Sequence, residues 1–432
     1  MKIDSIHLSQ YRCHADLRIN FNPGFNVIAG INGSGKTSLL KAICEALAGF
    51  SHFLSGSGIH YRTLDDSSAV RMVAEAIHGR YRFEAQYPVR IAVEATAFAS
   101  RCDWAVQKTS QPASPQFTGQ TPGQIWQAEN QKQPAVALPV LAFYRANRCW
   151  NPAPPNEMQA ATARHARTDG YVSWWDASLD ANALQSWVIG KCLERFQVSS
   201  ESGTPFDSIQ NDELALVNQA LAAAIEGIKG LKYDLRQKSL LVEWIHSAES
   251  SGEPTAFEHL SDGQRAVIGL VADIARRMCV LNPQLNQAVT RETAGVVLVD
   301  ELDNHLHPRW QRILISGLQR AFPKVQFIVA SHSPQVLGEL RPEKIILLRA
   351  HGTAHPQVSY GLTSSQVLEE IMEAEARTPE VQILLSEVFE CLERSDLPLA
   401  RKKLGMLEGK APGIPELTGA HALLRRKEIL GR

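Results

Sequence analysis

Gly30, Gly35, Lys36 and Thr37 stand in the spacing G-x-x-x-x-G-K-T within the stretch "GINGSGKTS", residues 30–38. That spacing suits one kind of chemistry. Glycines let backbone N–H groups converge on phosphate oxygens. A lysine at this place reaches the β- and γ-phosphates of a nucleoside triphosphate, and the threonine hydroxyl meets Mg²⁺. The loop follows a short apolar run, "GFNVIA", and opens "TSLLKAICEALAG", where Leu39, Leu40, Ile43 and Leu47 recur at helical spacing up to Gly49. A strand, a glycine loop and a helix start bring the positive end of a helix to the phosphates as well.

Two further strand ends carry polar groups. "AGVVLVDELDNHLHP" is an apolar run closed by Asp300 and Glu301, followed by a helix with Pro308 in its first turn. At the carboxyl end of a parallel strand these side chains face a ligand crevice. Asp300 is expected to hold Mg²⁺ with Thr37, and Glu301 to orient and polarise the attacking water. "VQFIVASHSPQVL" repeats the design and places His332 where it can touch the γ-phosphate and sense its loss. His305 and His307 lack convincing third and fourth ligands and read as helix-entry residues, not a metal site. A second glycine-softened helix start, "HLSDGQRAVIGLV" at residues 259–271, lies far downstream of the first.

The elements that must hold these groups are legible in outline. Uninterrupted apolar runs before Asp300 and Ser331 read as strands of a parallel sheet covered on both faces, "GFNVIAG" as a short apolar strand and "LPVLAFYRANR" as a buried strand. "KIDSIHLSQYR", "ADLRINFN", "RYRFEAQYPVRIAVEAT" and the residues around "CDWAVQ" alternate apolar and polar, which predicts an antiparallel layer. Residues 108–136, rich in Gln, Pro, Ser and Thr, read as a long surface loop. Residues 175–246 read as mostly helical with a break at "SSESGTPFD", and the chain after residue 364 as helical. Val381, Leu384, Leu385, Val388, Phe389 and Leu392 form a helical stripe there. Glu369 to Glu393 is acidic and the tail from Arg394 basic, a pattern of solvated helix faces.

Composition excludes several classes. The chain has 432 residues, 44% of them hydrophobic, and 44 Lys and Arg against 45 Asp and Glu, for a formal net charge of −1. A globally basic nucleic-acid binder is not indicated, although a local basic groove fits within that balance. The 7 cysteines, Cys13, Cys44, Cys102, Cys149, Cys192, Cys279 and Cys391, are scattered, with no CxxC pair, as in a cytoplasmic thiol protein. The polar start lacks a signal-peptide core, and no apolar stretch of about 18 residues offers a membrane span. The expected location is the cytoplasm. There are no internal repeats and no sustained heptads.

"LSDGQR" resembles the LSGGQ signature of ABC-type ATPases, with Asp262 in place of the first glycine. The order P-loop, signature, Asp–Glu strand, histidine strand is that family's order. "HLSQYRCHADLRINFNPGFNVIAGINGSGKTSLLKAI" is similar to the opening of RecF/SMC-type members. The resemblance covers roughly residues 1–350. It implies an α/β fold: an ABC-type P-loop head with a mixed parallel sheet, an antiparallel β layer, a helical lobe and a C-terminal helical tail. The implied division is a nucleotide-binding lobe from 1–150 and 286–362, a helical lobe at 151–285 and a tail at 363–432. It implies ATP and Mg²⁺ as ligands. Arg12 of the Tyr11–Arg12 pair would approach the phosphates, Asn32, Gly33 and Ser34 would form the loop, and Ser38 would meet the α-phosphate. Ser261, Gly263 and Gln264 would close a nucleotide site held by a second subunit, with Asp303 crossing the interface of a head-to-tail dimer or higher homo-oligomer. The family's Q-loop glutamine has no counterpart; "YRANR", Tyr144 to Arg148, lies where it is expected.

Text of the "DExDxHLHP" kind and the tail "YGLTSSQVLEEIMEAEARTPEV" resemble compact anti-phage ATPases of the Septu type, which work beside an HNH nuclease. The implied function is an ATPase that regulates a separate nuclease, since the short helical tail leaves no room for a Toprim domain. A RecF-like DNA-repair ATPase that binds DNA is the alternative, and strongly salt-dependent duplex binding would favour it. A transporter subunit fits poorly, because the glutamine loop is missing.

Overall fold

The computed structural model describes residues 1–430 except 55, 57, 61, 62, 78, 79, 133–135, 149, 151–155, 248, 249, 350, 351 and 376. Two compact units divide the chain, Met1–Gly361 and Leu362–Arg432.

The first unit is built on a six-stranded sheet. In spatial order its strands are Gly352–Ala354, Ile345–Arg349, Phe25–Ala29, Val325–Ala330, Gly295–Val299 and Val140–Tyr144. All neighbours run parallel except the short edge strand Gly352–Ala354. Every residue of Phe25–Ala29, Val140–Tyr144, Gly295–Val299 and Val325–Ala330 is buried, which explains their unbroken apolar runs. Parallel register has a direct consequence. Val299 pairs with Tyr144 and with Val329, and Ala330 with Ile28, so the strands end together. The segments that follow them, beginning at Gly30, Asp300, Ser331 and Arg145, therefore emerge along one edge of the sheet.

A five-stranded antiparallel sheet forms a second layer, in the order His14–Asn20, Lys2–Tyr11, Val89–Ala97, Ser100–Lys108, Gln116–Gly119. Alternation is clear in Val89–Ala97, where Val89, Ile91, Val93, Ala95 and Ala97 are buried. The helix Lys36–Ser51 is buried on nearly all sides, and Trp104 Nε1 donates to Ala46 O at 2.9 Å. It runs on through Gly49 to Ser51. A two-stranded hairpin, Arg71–Ile77 with Arg80–Gln86, stands apart from both sheets.

Two stretches depart from the sequence reading. Residues 228–247 are not helical: Ile228–Asp234 and Ser239–Ser247 form an antiparallel hairpin. Its turn is set by Asp234, whose Oδ1 accepts from the N–H groups of Arg236 and Gln237 at 2.8 and 2.9 Å. Apolar spacing that suits a helix and a strand alike masks that local turn. The hairpin docks on helix Glu213–Ala224, with Asn218 bonded both ways to the Leu231 backbone. The second departure is residues 108–136, which are not one loop. Gln116–Gly119 extends the antiparallel sheet, and Pro122–Lys132 is a helix whose apolar contribution is small, with Ile125 buried.

The second unit has the helices Ser364–Glu370, Pro379–Glu393, Leu397–Lys410 and Pro415–Leu430. Leu384, Leu385, Val388 and Leu392 pack with Leu404, Leu407, Leu417 and Leu424 in its core. The acidic and basic blocks form solvated faces that meet across helices: Lys403 pairs with Glu387 at 2.7 Å and Lys410 with Glu380 at 2.6 Å, the second pair exposed to solvent. Among the described residues, Cys13, Cys44, Cys102, Cys192, Cys279 and Cys391 are free thiols; Cys149 lies outside them. No described helix is long and apolar enough to cross a membrane.

Candidate nucleotide-binding site

The sheet edge gathers the residues singled out by spacing. Thr37 Oγ1 donates to Asp300 Oδ2 at 2.8 Å, across 263 positions of chain. Lys36 is buried, and its Nζ donates to the carbonyls of Gly30 at 2.9 Å and Ile31 at 3.0 Å. Burial lowers the Lys36 pKa, against the pull of Asp300, Glu301 and Asp303. At Gly35 the backbone has φ +95°, and a Cβ there would lie 2.5 Å from the His14 ring and 2.6 Å from Cys13 Sγ. Only glycine fits, for conformation and for space. Asn32 and Gly33 are exposed at the loop tip.

The Tyr11–Arg12 turn abuts the loop. Arg12 has φ +53°, its N–H donates to Ala69 O at 2.9 Å, and its guanidinium sits 5.9 Å from the Tyr11 ring centroid. Tyr11 OH donates to the buried Glu45 at 2.9 Å. Next to it, His14 Nε2 lies 3.3 Å from Gly35 O. A hydrogen bond with His14 pulls the Cys13 thiol below its ordinary value, against burial, with a smaller contribution from Ser38. The glycine motif says nothing about what packs beneath it, so no sequence signal relates Cys13 and His14 to the loop.

The fit of a nucleotide can be judged on polar atoms that lack partners. Arg12 Nε and Ser34 Oγ are buried without a hydrogen-bond partner, one beside the P-loop and one within it. Phosphate oxygens are acceptors for both, and Thr37 with Asp300 forms a hydroxyl–carboxylate pair of the kind that holds Mg²⁺.

Past Asp300 the backbone turns sharply. Glu301 is exposed, with φ +48°. Asp303 Oδ1 accepts from the His332 N–H at 3.3 Å, which ties two strand ends together. Burial, then Lys36, lowers the His332 pKa, against Asp303, Glu301 and Asp300. Lys36, Asp300, Glu301, Asp303 and His332 thus share one electrostatic neighbourhood. His307 caps the next helix, its Nδ1 accepting from Arg309 N–H at 3.2 Å, with Pro308 at the first position. Arg148 is buried beneath this turn. Its guanidinium donates to the carbonyls of Asp300, Glu301 (2.8 Å) and Arg145 (3.1 Å). No sequence motif announces it.

The second glycine-softened turn is a capped helix start. Ser261 is exposed and accepts from Gln264 N–H at 3.3 Å, while Gln264 Oε1 accepts from Ser261 N–H at 3.1 Å. This reciprocal pair satisfies two N–H groups at the start of helix Asp262–Leu281. Gly263 is buried against the turn after Glu301: a Cβ there would lie 2.2 Å from His305 O. The close approach demands glycine and locks the Ser261 turn to the segment that follows Asp300.

A family model described as an AAA domain matches residues 5–135. A second, described as AAA domain, putative AbiEii toxin, Type IV TA system, matches residues 205–338. The first span holds the phosphate loop; the second holds Ser261, Asp300, Glu301 and His332. The chain is similar to the Retron Ec83 probable ATPase of Escherichia coli, at 26% identity over 442 residues, covering 88% of this chain and 78% of that one. It is similar to the Septu protein PtuA of Bacillus thuringiensis, at 23% identity, covering 84% and 82%. Among solved structures, an SMC head bound to the C-winged helix domain of ScpA overlays with a TM-score of 0.47 at 13% identity, covering 82% of this chain and 97% of that one.

Proposed function

We propose that this chain is an SMC/RecF-like ABC-type ATPase and the ATP-driven regulatory subunit of an anti-phage defence complex, a reading supported by its similarity to the retron and Septu proteins and by its matches to AAA-domain models. The observation that carries the nucleotide assignment is the 2.8 Å contact between Thr37 and Asp300, which joins the phosphate loop to the strand-end carboxylates.

Lys36 and the N–H groups of residues 30–38 bind the phosphates, and Arg12, Ser34 and Ser38 add contacts around the loop. Thr37 and Asp300 would hold Mg²⁺, which neutralises phosphate charge when bound. Glu301 orients the water that attacks the γ-phosphorus, and His332 contacts the γ-phosphate. Ser261, Gly263 and Gln264 complete the pocket of a second copy. Three features support this reading: Ser261 is exposed, a helix N-terminus stands behind it, and an anion there is favoured by the helix dipole. Asp303 would cross the same interface. ATP therefore bridges two chains and stabilises their association only while it is bound. The resemblance to Septu-type ATPases supports a separate nuclease of the HNH type as the regulated partner, in the cytoplasm.

Glu301→Gln tests the chemistry. The variant is expected to bind Mg²⁺–ATP with ordinary affinity, to hydrolyse it at least about 100-fold more slowly, and to accumulate as an ATP-bound dimer in size-exclusion chromatography. Turnover at the wild-type rate would falsify the water-orienting role.

A further inference from the structure

Arg148 is buried at 9% exposure, and its guanidinium is directed at main-chain oxygens. It lies in the connection after strand Val140–Tyr144, where "YRANR" has no glutamine. Burial lowers its pKa to about 10, with Asp300, Asp303 and Glu301 opposing the shift, so it stays charged at neutral pH.

The strand end that Arg148 touches is unusual. Glu301 adopts φ +48°, a left-handed conformation that a residue with a side chain keeps only where its surroundings hold it. Several main-chain bonds contribute. Asp300 N–H donates to Tyr144 O at 2.8 Å, Leu302 N–H to Ala330 O at 2.9 Å, and Asn304 N–H to Glu301 O at 3.0 Å. Arg148 adds a charged clamp on two consecutive carbonyls, those of Asp300 and Glu301. Asp300 is 4% exposed, so its carbonyl cannot turn to bulk water if the arginine is lost. With the clamp gone, the neutral bonds from Asp300 N–H to Tyr144 O and from Asn304 Nδ2 to Ala146 O at 3.3 Å are left to resist relaxation of the Glu301 backbone from the Val140–Tyr144 side.

We propose that Arg148 is a positioning residue for hydrolysis: by gripping the Asp300 and Glu301 carbonyls it fixes the left-handed turn that presents the Glu301 carboxylate to the nucleotide site. The proposal rests on the reading of Glu301 as the water-orienting group. Arg148 acts on turnover far more than on nucleotide binding, because it does not touch residues 30–38 and Asp300 keeps its own ties to Tyr144 O and Thr37.

The test is a double-mutant cycle on the full-length chain, read by single-turnover ATP hydrolysis and by the Kd for Mg²⁺–ATP. Arg148→Ala is expected to lower the hydrolysis rate by about 100-fold and to change Kd by less than about threefold. Added to Glu301→Gln, it is expected to change the residual rate by less than about twofold, since its effect passes through Glu301. Rate losses that multiply in the double variant overturn the proposal, as does an affinity that falls in step with the rate. Should Arg148→Ala not fold, Arg148→Lys, which keeps the charge but not the two-pronged grip, takes its place; a folded lysine variant with the wild-type rate overturns the proposal too. If Glu301→Gln alone hydrolyses normally, the role of Glu301 fails first, and the failure is then not specific to Arg148.

Discussion

His332 shows how the site sets the charge of its own parts. Burial and the nearby Lys36 disfavour the imidazolium, and the carboxylates of Asp303, Glu301 and Asp300 only partly restore it. The folded chain therefore protonates His332 at a lower pH than the unfolded chain, which takes up the proton near about 6.5. As pH falls through that unfolded value, only the unfolded state gains the proton, and stability declines until the folded value is passed. His332→Gln removes this titration. Urea denaturation of the two proteins at neutral pH and again at mildly acid pH should show the variant gaining on the wild type as the solution is acidified. An unchanged stability difference would mean that His332 titrates alike in both states. Gly35 and Gly263 are the steric counterpart: each lets a neighbouring segment approach where a Cβ would collide, with His14 and Cys13 in one case and with His305 O in the other.

At the scale of elements, helix Asp262–Leu281 carries the exposed Ser261 turn at one end and a buried charge network on its flank. Asp273 accepts from Tyr144 OH at 2.7 Å, from Arg277 Nε at 2.7 Å and from Arg276 at 2.6 Å, all with little or no exposure. Burial pushes its carboxyl up, yet Arg277 and Arg276 hold it below the usual carboxylate value. Arg277 also donates to Gly170 O and Val172 O, both at 2.9 Å. The network thus joins the helix behind Ser261 to strand Val140–Tyr144, whose following connection holds Arg148. Asp273→Asn leaves two arginines buried with less compensation. It should cost about 3–5 kcal/mol of folding stability, measured by chemical denaturation; a loss below about 1 kcal/mol would show that the arginines find other partners. The spacing i, i+3, i+4 that places Asp273, Arg276 and Arg277 on one helix face is visible in the sequence. That this charged face points inward is not, because charged faces usually meet solvent.

At the scale of the whole molecule, the assignment of shared sites makes a prediction about mixtures. Lys36→Ala disables phosphate binding in its own chain, and Ser261→Arg disables the element offered to a neighbour. Neither variant alone should hydrolyse ATP. A mixed dimer retains one pocket with both elements intact, so equal mixtures should recover roughly a quarter of wild-type turnover if chains exchange freely and pockets act independently. Complete inactivity at every ratio would count against pockets shared between chains. The second unit, Leu362–Arg432, has its own core and cross-helix ion pairs, Glu387 with Lys403 and Glu380 with Lys410. Such partly exposed pairs add little stability.

Local order was written in the sequence. A strand, a glycine loop and a helix follow one another within about thirty residues, and steric rules at glycine and the apolar period suffice to read them. The apolar strands before Asp300 and Ser331 were legible for the same reason. Tertiary structure alone decided which separate segments meet: Thr37 with Asp300, Arg148 with the Asp300 and Glu301 carbonyls, Gly263 with His305. These contacts depend on parallel register and helix packing, which bring together residues that no local pattern relates. The hairpin of residues 228–247 marks the boundary between the two. Its apolar spacing serves a helix or a strand equally well, and the choice fell to the Asp234 turn and to the helix Glu213–Ala224 on which it packs.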